Sequence, residues 1–410
     1  MGNEQSVVKN VDKRTARREQ ALHFIPAISA FRMEHSDGKP VGVVSAIGED
    51  DHRSEQSGGG GMRVCVRKRP IFPHELKQGE YDVVTCLLQR GAAKIVVHDA
   101  RMHSDMRHMF INHNTFSFDA VFGEAASNRQ VYLEAAAPLV GRAVHDGVTA
   151  TIMMYGQTGS GKTYTMSAIY ELVSVDLFDA ISDASGSSPV VSVCFVELAG
   201  EHRCADMLNR GNQVQLLTGR DGAVHPYPLA EVTVNSADEL LCFIRLACAL
   251  RATEATGVHS QSSRSHAVCR IFIDHGNGQE GMIQLIDLAG SEHRIDSAEH
   301  DAARRKEGAQ INSSLAALKE CVRCKAAGKV GGTATFLPYR KSKLTHLLRA
   351  CFEDGNPTVV IATVSPASKD TEHSLNTIRH ACIMDGQGTG ALDPPGGVSI
   401  CPFVVVKQGT

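Results

Sequence analysis

The chain has 410 residues, of which 42% are hydrophobic and 21% charged, and a formal net charge of -3. This ordinary globular balance excludes a collagen-like, disulfide-framed or wholly disordered chain, and at roughly 150 residues per domain it leaves room for a large α/β unit with extensions. No run reaches the ~18 apolar residues of a membrane span, and the start MGNEQSVVKN lacks the apolar core of a secretory signal, so an intracellular protein is expected.

Residues 1–61 combine a charged start, an apolar patch from Phe24 to Phe31 and a Ser/Gly run ending in Gly58 to Gly61. They read as a basic extension followed by a flexible linker. Met1-Gly2-Asn-Glu-Gln-Ser6 fits M-G-x-x-x-[ST], the pattern for myristate on Gly2. One acyl chain holds a membrane only marginally, and Lys9, Lys13, Arg14, Arg17 and Arg18 would supply the second, electrostatic signal. The competing reading gives these basic residues to a neck that contacts a protein partner.

From Met62 the texture changes to short β-branched runs alternating with helical patterns. MRVCVR, PVVSVCFVEL, HAVCRIFI, GMIQLIDL and TVVIATV read as strands, and strands interleaved with helices imply an α/β sheet covered on both faces. Ser236 with Glu239 three residues on, and Ser342 before KLTHLLRACF, mark helix starts. GQGTGALDPPGG after Asp385 cannot sustain a helix, which sets a domain over 62–385 and a Gly/Pro-rich tail over 386–410.

Twelve cysteines are scattered, so no disulfides are expected, and the pair Cys321-x-x-Cys324 lacks the second pair that a zinc signature needs. His98, His103, His108 and His113 recur every five residues, which matches neither one helix face nor one strand face and argues against a shared metal. Over 301–350, eleven Lys and Arg face three acids, a basic stripe suited to an acidic partner. Nothing in the composition calls for nucleic acid.

Gly156, Gln157, Thr158, Gly159, Ser160, Gly161, Lys162 and Thr163 fit the G-x-x-x-x-G-K-[ST] phosphate loop, preceded by the strand-like Ala150 to Tyr155 and followed by a helical run. Its glycines let backbone N–H groups wrap phosphates, Lys162 supplies a point charge, and the Thr163 hydroxyl suits Mg²⁺. The apolar strand from Met282 to Leu288 ends in Asp287-Leu-Ala-Gly290-Ser-Glu292, which puts a carboxylate at a strand end for the metal's water shell and a glycine N–H near a γ-phosphate. Ser262-Ser263-Arg264-Ser-His266 gathers hydroxyls and a guanidinium in one short loop.

In this order and spacing the three elements resemble the nucleotide pocket of the kinesin motor family. Arg67-Lys-Arg69-Pro70 is similar to its R-x-R-P, Phe116-Ser-Phe118-Asp119 with Val121-Phe122 to its F-x-F-D-x-x-F, and Pro338-Tyr-Arg340-Lys341-Ser-Lys343-Leu-Thr345 and Leu375-Asn-Thr-Ile-Arg379 to its late motifs. The resemblance implies a P-loop NTPase of kinesin type, α/β, with a central, mostly parallel twisted sheet and helices on both faces. It implies that ATP and Mg²⁺ bind here, with Tyr164 and the Arg67-to-Pro70 segment beside adenine. Ser263 would hold Mg²⁺ and the attacking water, Gly290 would sense the γ-phosphate, and Arg264 and Glu292 would form a latch. Within the family, Val64 to Pro70, Asn235-Ser-Ala-Asp238 and Leu318-Lys319-Glu320-Cys321 are similar to the internal-motor class, the thirteenth kinesin class, which removes tubulin from microtubule ends.

This implies a microtubule- or tubulin-stimulated ATPase of the cytoplasm and cytoskeleton, on spindle or flagellar microtubules. Lys319, Glu320, Cys321, Arg323, Lys325, Arg340, Lys341 and Lys343 would meet the filament. A basic neck before the motor, with no neck linker or coiled coil after it, is the same arrangement as in that class. The sequence also departs from the pattern. His259 stands where the family has Asn, which implies slower turnover, and His103-Ser104-Asp105 keeps only the acid of the depolymerases' Lys-Val-Asp tip. Ser167 to Pro189 is short and is expected to be a trimmed surface loop. A translocating motor and a weakly hydrolysing microtubule-binding protein are the alternatives.

Overall fold

The alternation of β-branched runs with longer helical stretches builds one large sheet wrapped by helices. The computed structural model describes residues 13–35, 43–45, 62–89, 91–103, 108–183, 189–200, 203–219, 224–253, 264–276, 278–291, 302–331, 337–384 and 398–400. In chain order, α1 (Lys13–Glu19) and α2 (Ala21–His35) precede β1 (Val43–Ser45), β2 (Met62–Lys68), α3 (Pro73–Lys77), β3 (Val84–Gln89), β4 (Ala92–Met102), β5 (Met109–Phe118) and β6 (Ala120–Phe122). Then come α4 (Asn128–Ala135), α5 (Ala137–His145), β7 (Thr149–Gly156), α6 (Lys162–Asp183), β8 (Val190–Ala199), β9 (Arg203–Asp206), β10 (Asn212–Gln213), β11 (Gln215–Thr218), β12 (Val224–Tyr227) and β13 (Val232–Val234). The chain continues through α7 (Ala237–Thr253), β14 (Ser265–Asp274), β15 (Glu280–Asp287), α8 (Ala302–Gly331), α9 (Lys343–Leu347), β16 (Thr358–Val364), α10 (Thr371–Met384) and β17 (Val398–Ile400).

Among the described residues the main sheet has 11 strands in the order β1-β6-β2-β16-β7-β15-β14-β8-β9-β10, with β13 beside β8. The run β6-β2-β16-β7-β15 is parallel, and β14 turns the pairing antiparallel on the β15 side. Side chains of the parallel strands alternate between two cores, as a period of two demands. Val64, Met153, Tyr155, Ile286, Val360 and Ala362 join the core that includes α8, α9 and α10. Cys65, Ile152, Met154, Leu285, Val359 and Ile361 join the core with α4, α5, α6 and α7. Both faces are therefore apolar, which is why these strands read as unbroken hydrophobic runs.

The helix-start signals act as expected. The Ser236 hydroxyl accepts from Glu239 N at 3.2 Å, while the Glu239 carboxylate reaches back one residue further, to Asn235 N at 2.8 Å. Ser342 accepts from Thr345 N at 3.1 Å, but the helix it starts is only five residues long.

Three sequence expectations need correction. Residues 13–35 are not a free extension: they are helical, Phe24 and Ile28 are buried in the core, and Arg17 is fully buried. The texture change at Met62 is thus no boundary of packing, and Arg17 is lost to any membrane-facing basic cluster. Gly2 and Lys9 lie outside the described residues. Second, Ser167 to Asp183 is helix, not trimmed loop, because Met166, Ile169, Tyr170, Val173 and Leu177 recur at helical spacing and are buried along one face. Third, the segment after 385 contributes β17, which pairs antiparallel with β5. No helix among the described residues is long and apolar enough to cross a membrane.

Candidate functional site

The phosphate loop joins the C-terminal end of β7 to the N-terminus of α6, at the carboxyl edge of the parallel strands where open α/β sheets place ligands. Gly156 has φ 149°, and a Cβ there would sit 2.4 Å from the carbonyl oxygen of Thr363, so only glycine fits against β16. Gly159 and Gly161 also have positive φ, but a Cβ on either would meet nothing within 4 Å. The loop is packed below and open above. Ser160 Oγ donates to Gln157 O at 2.7 Å and lies 2.6 Å from Thr363 Oγ1, and Arg69 Nε donates to Gly159 O at 2.8 Å. Lys162 is buried with its ammonium on the carbonyls of Gly156 and Gln157, at 2.9 and 3.0 Å.

Asp287 ends β15 beside this loop. Its Oδ2 accepts from Thr163 Oγ1 at 2.9 Å, while its Oδ1 is buried with no hydrogen-bond partner. A buried carboxylate oxygen without a donor, next to an exposed threonine hydroxyl, fits a hydrated Mg²⁺, which takes hard oxygen ligands and keeps several waters. Gly290 is buried just past the strand, and Ser291 N donates to Gly156 O at 3.0 Å, which fastens this loop to the phosphate loop. Arg264 lies half-buried at the start of β14, whereas Ser263, Glu292 and His259 lie outside the described residues.

Behind Asp287 is a buried charge network that the motifs alone did not reveal. Arg251 of α7 lies 3.5 Å from Asp287 and 3.4 Å from Glu197 of β8, and it donates to the Ser265 carbonyl at 2.7 Å. Ser265 Oγ in turn donates to Glu197 at 2.7 Å. The available sequence signal was a charge inside an apolar run: Glu197 in VVSVCFVEL, and Arg251 at the end of α7.

The residues expected beside adenine separate by role. Arg67 donates to Asn128 Oδ1, Thr165 Oγ1 and Ala126 O, and its guanidinium lies 5.6 Å from the centre of the exposed Tyr164 ring. Arg69 is committed to Glu75 through two hydrogen bonds of 2.8 and 2.6 Å and to the phosphate loop. It positions the loop, while the Tyr164 ring is left exposed beside Arg67.

A family model described as the kinesin motor domain matches residues 67–385. The chain belongs to the kinesin motor family. Diatom spindle kinesin-1 from Cylindrotheca fusiformis is 38% identical over 319 residues, covering 78% of this chain and 49% of its own. Kinesin-like protein KIF24 from Mus musculus is 37% identical over 372 residues, covering 87% of this chain and 26% of its own. The chain thus spans half or less of the curated relatives it matches. In three dimensions it resembles KIF14 in a two-heads-bound dimer with AMP-PNP on a microtubule, with TM-score 0.66, 30% identity, and 80% of this chain and 94% of that chain covered. The Kar3-like motor domain of Ashbya gossypii shares the fold at 23% identity and TM-score 0.65, covering 80% of this chain and 100% of that one.

The structure divides the residues expected to meet the filament. In this kinesin, Arg323, Arg340 and Lys341 are exposed, with Lys341 paired to Glu320 at 2.7 Å, and Lys343 is half-buried. Lys325 turns onto the backbone carbonyl of Glu353 at 3.2 Å. Two expectations are corrected. Cys321 is fully buried in the core and presents nothing to a partner. Lys319 points inward, its ammonium within 3.1 Å of both ring nitrogens of His380 on α10, and burial, then Arg323, lowers it to about 8. Of the tip His103-Ser104-Asp105, only His103 falls among the described residues.

Proposed function

We propose that this kinesin hydrolyses MgATP and uses the turnover to remove tubulin from microtubule ends. The observation that carries the ATPase reading is the Thr163–Asp287 pair, with the partnerless Oδ1 of Asp287 facing a phosphate loop that is open at Gly159 and Gly161. In this reading the loop's N–H groups bind the phosphates and Lys162 exchanges its carbonyl partners for the outer phosphate oxygens. Thr163, Ser263 and, through water, Asp287 hold Mg²⁺, which when bound supplies charge neutralisation between phosphate oxygens. Gly290 N–H, Arg264 and Glu292 close on the γ-phosphate, and Tyr164 covers adenine.

The tubulin-removing part is supported by the likeness of Val64 to Pro70, Asn235 to Asp238 and Leu318 to Cys321 to the internal-motor class and by a basic helical segment seated before the motor on its core. The reported binding of AMP-PNP and a microtubule by a structural neighbour supports nucleotide and filament as partners. A cytoskeletal location on spindle or flagellar microtubules belongs to the same reading, and the name of the diatom relative refers to the spindle.

The deciding experiment incubates stabilised microtubules with the protein and ATP while following turnover and filament length. Shortening from the ends with stimulated turnover is expected. Glu292→Ala should keep nucleotide binding and lose turnover by about 100-fold or more. Gliding without shortening would select the translocating motor, and background turnover with retained filament binding would select the weak ATPase.

A further inference from the structure

His266 stands at the meeting point of three elements. It is the second residue of β14, 4% exposed, with the Asp287–Gly290 turn on one side and α8 on the other. Its Nδ1 accepts from the backbone N–H of Ala289 at 3.1 Å, and its Nε2 lies 2.8 Å from Ser314 Oγ on α8.

The direction of this chain of bonds is fixed by its ends. Ala289 N–H can only donate, so Nδ1 is bare and the ring proton sits on Nε2. Ser314 Oγ donates its single proton to Ile311 O at 2.7 Å, so it can only accept from Nε2. The imidazole is therefore neutral and in one tautomer, and both of its nitrogens are used. Burial, with Arg251 and Lys162 nearby, lowers the ring to about 3, so this arrangement persists at physiological pH. On the far side of Ser314 is a cavity of 280 Å³, walled by His266, Gln310, Ser313 and Ser314 from inside and by Arg340 and Lys341 from the basic face. The contact is therefore not packed on every side, and a bond beside open space resists displacement less than one in a filled core.

We infer that His266 is a positioning residue that couples the Ala289–Gly290 turn to α8, so that movement of that turn at the γ-phosphate is passed through Ser314 to the helix bearing the exposed Arg323. A shift of the Ala289 N–H drags or releases the imidazole, and the ring's other nitrogen does the same to the α8 turn around Ile311 and Ser314. This rests on the proposed reading that the pocket takes a nucleoside triphosphate and that α8 answers to the filament.

The test compares the whole chain with His266→Asn, which keeps an acceptor for Ala289 but cannot reach Ser314, with His266→Gln, which keeps a donor for Ser314, and with Ser314→Ala. Hydrogen exchange over 311–318 is read with AMP-PNP and with ADP, beside the ratio of microtubule affinities in the same two nucleotides. The unaltered chain is expected to show a nucleotide-dependent difference in both, His266→Asn and Ser314→Ala each to reduce the affinity ratio by about fivefold or more, and His266→Gln, which keeps the donor, to retain more of it than His266→Asn. His266→Asn combined with Ser314→Ala should lose no more than either alone, since both cut the same link. Thermal melts identify any variant that has not folded, and Ser314→Ala, which removes a single hydroxyl from a half-buried helix position, is the variant that keeps the test open if the His266 substitutions unfold.

A folded Ser314→Ala with the full nucleotide response overturns the coupling, as does an unaltered chain whose α8 ignores nucleotide. An unaltered chain that responds in α8 but does not hydrolyse ATP overturns the hydrolysis reading alone.

Discussion

The guanidinium of Arg17 grips the carboxylate of Glu372 through two parallel hydrogen bonds of 2.8 Å, joining residues 355 apart in the chain. The same guanidinium donates to Asp99 at 2.8 Å and to the Ala100 carbonyl at 3.0 Å, so α1, β4 and α10 are tied at one point. Two-pronged pairing with the flat fork of arginine is stronger and more directional than a point-charge contact.

Removing this cation leaves Asp99, itself buried, with the partly exposed Arg101 as its remaining cation among the described residues. Arg17→Ala is therefore expected to cost about 3 kcal/mol in urea unfolding, the scale for stranding a buried charge. Arg17→Lys should recover only part of this, because one ammonium cannot serve both carboxylates and the carbonyl. A loss below about 0.5 kcal/mol would mean that α1 is not seated as described.

A second tie between the N-terminal helices and the motor depends on pH. Arg32 Nε donates to Thr85 Oγ1 at 2.8 Å, and the same hydroxyl is hydrogen-bonded to His98 Nε2, also at 2.8 Å. His98 Nδ1 lies 2.7 Å from His113 Nδ1, so one of these two nitrogens carries the proton that the other accepts. Phe31 of α2 stacks on His113 and His35 with ring centres 4.3 and 4.0 Å apart. Burial first lowers both His98 and His113; His113, then Arg32 and Lys68, add to it at His98, and His35 adds to it at His113.

In the unfolded chain these histidines take up protons near pH ~6.5, whereas the folded chain resists until lower pH. Their contribution is thus fully present above ~6.5 and is lost as pH falls below it. Urea midpoints should drop between pH 7 and 5.5, and His113→Asn should flatten that slope whatever it does to stability at pH 7. An unchanged slope in His113→Asn would show that the pair does not titrate in this window.

The sequence exposed what is local and hid what is distant. The phosphate loop was legible because its backbone, lysine and threonine lie within eight consecutive residues, and Asp287 because a carboxylate closes an apolar strand. The five-residue histidine spacing looked meaningless along a single element. It resolves only in the β4–β5 hairpin, whose register sets His98 against His113. The docking of α1 depends on partners 82 and 355 residues away and that of α2 on one 53 residues away, which no local pattern encodes. The basic stripe was visible as charge, but not which of its residues turn inward.

At the end of the pocket where Mg²⁺ is proposed to sit, Asp287→Asn keeps the size of the side chain and removes its charge. Nucleotide affinity in Mg²⁺ should fall by about tenfold or more, while affinity in excess EDTA should change little, since the carboxylate acts through the cation's water shell. Arg251 retains Glu197, so the fold should survive the exchange. Equal losses with and without Mg²⁺ would instead assign Asp287 to the phosphate loop's shape.

The inward turn of Lys319 and Cys321 changes which substitutions should weaken filament binding. Exposed charges act on an acidic surface through long-range attraction that salt screens within about 10 Å at 0.1 M. Reversing Arg323, Arg340 and Lys341 to Glu should therefore lower microtubule affinity at low salt and flatten its dependence on ionic strength. The Lys341–Glu320 pair adds little to folding because both partners face water, so these reversals should leave the melting temperature nearly unchanged. Cys321→Ser should do the opposite, lowering stability by about 1–3 kcal/mol through a hydroxyl placed in an apolar site, with no change in the salt dependence of binding. Lys319→Met should behave like Cys321→Ser in the salt titration, because the ammonium is spent on His380 inside the protein. Co-sedimentation with microtubules across a salt series, run beside thermal melts, separates the two groups. A Lys319→Met variant that lost as much salt dependence as Arg323→Glu would return that lysine to the filament-binding surface.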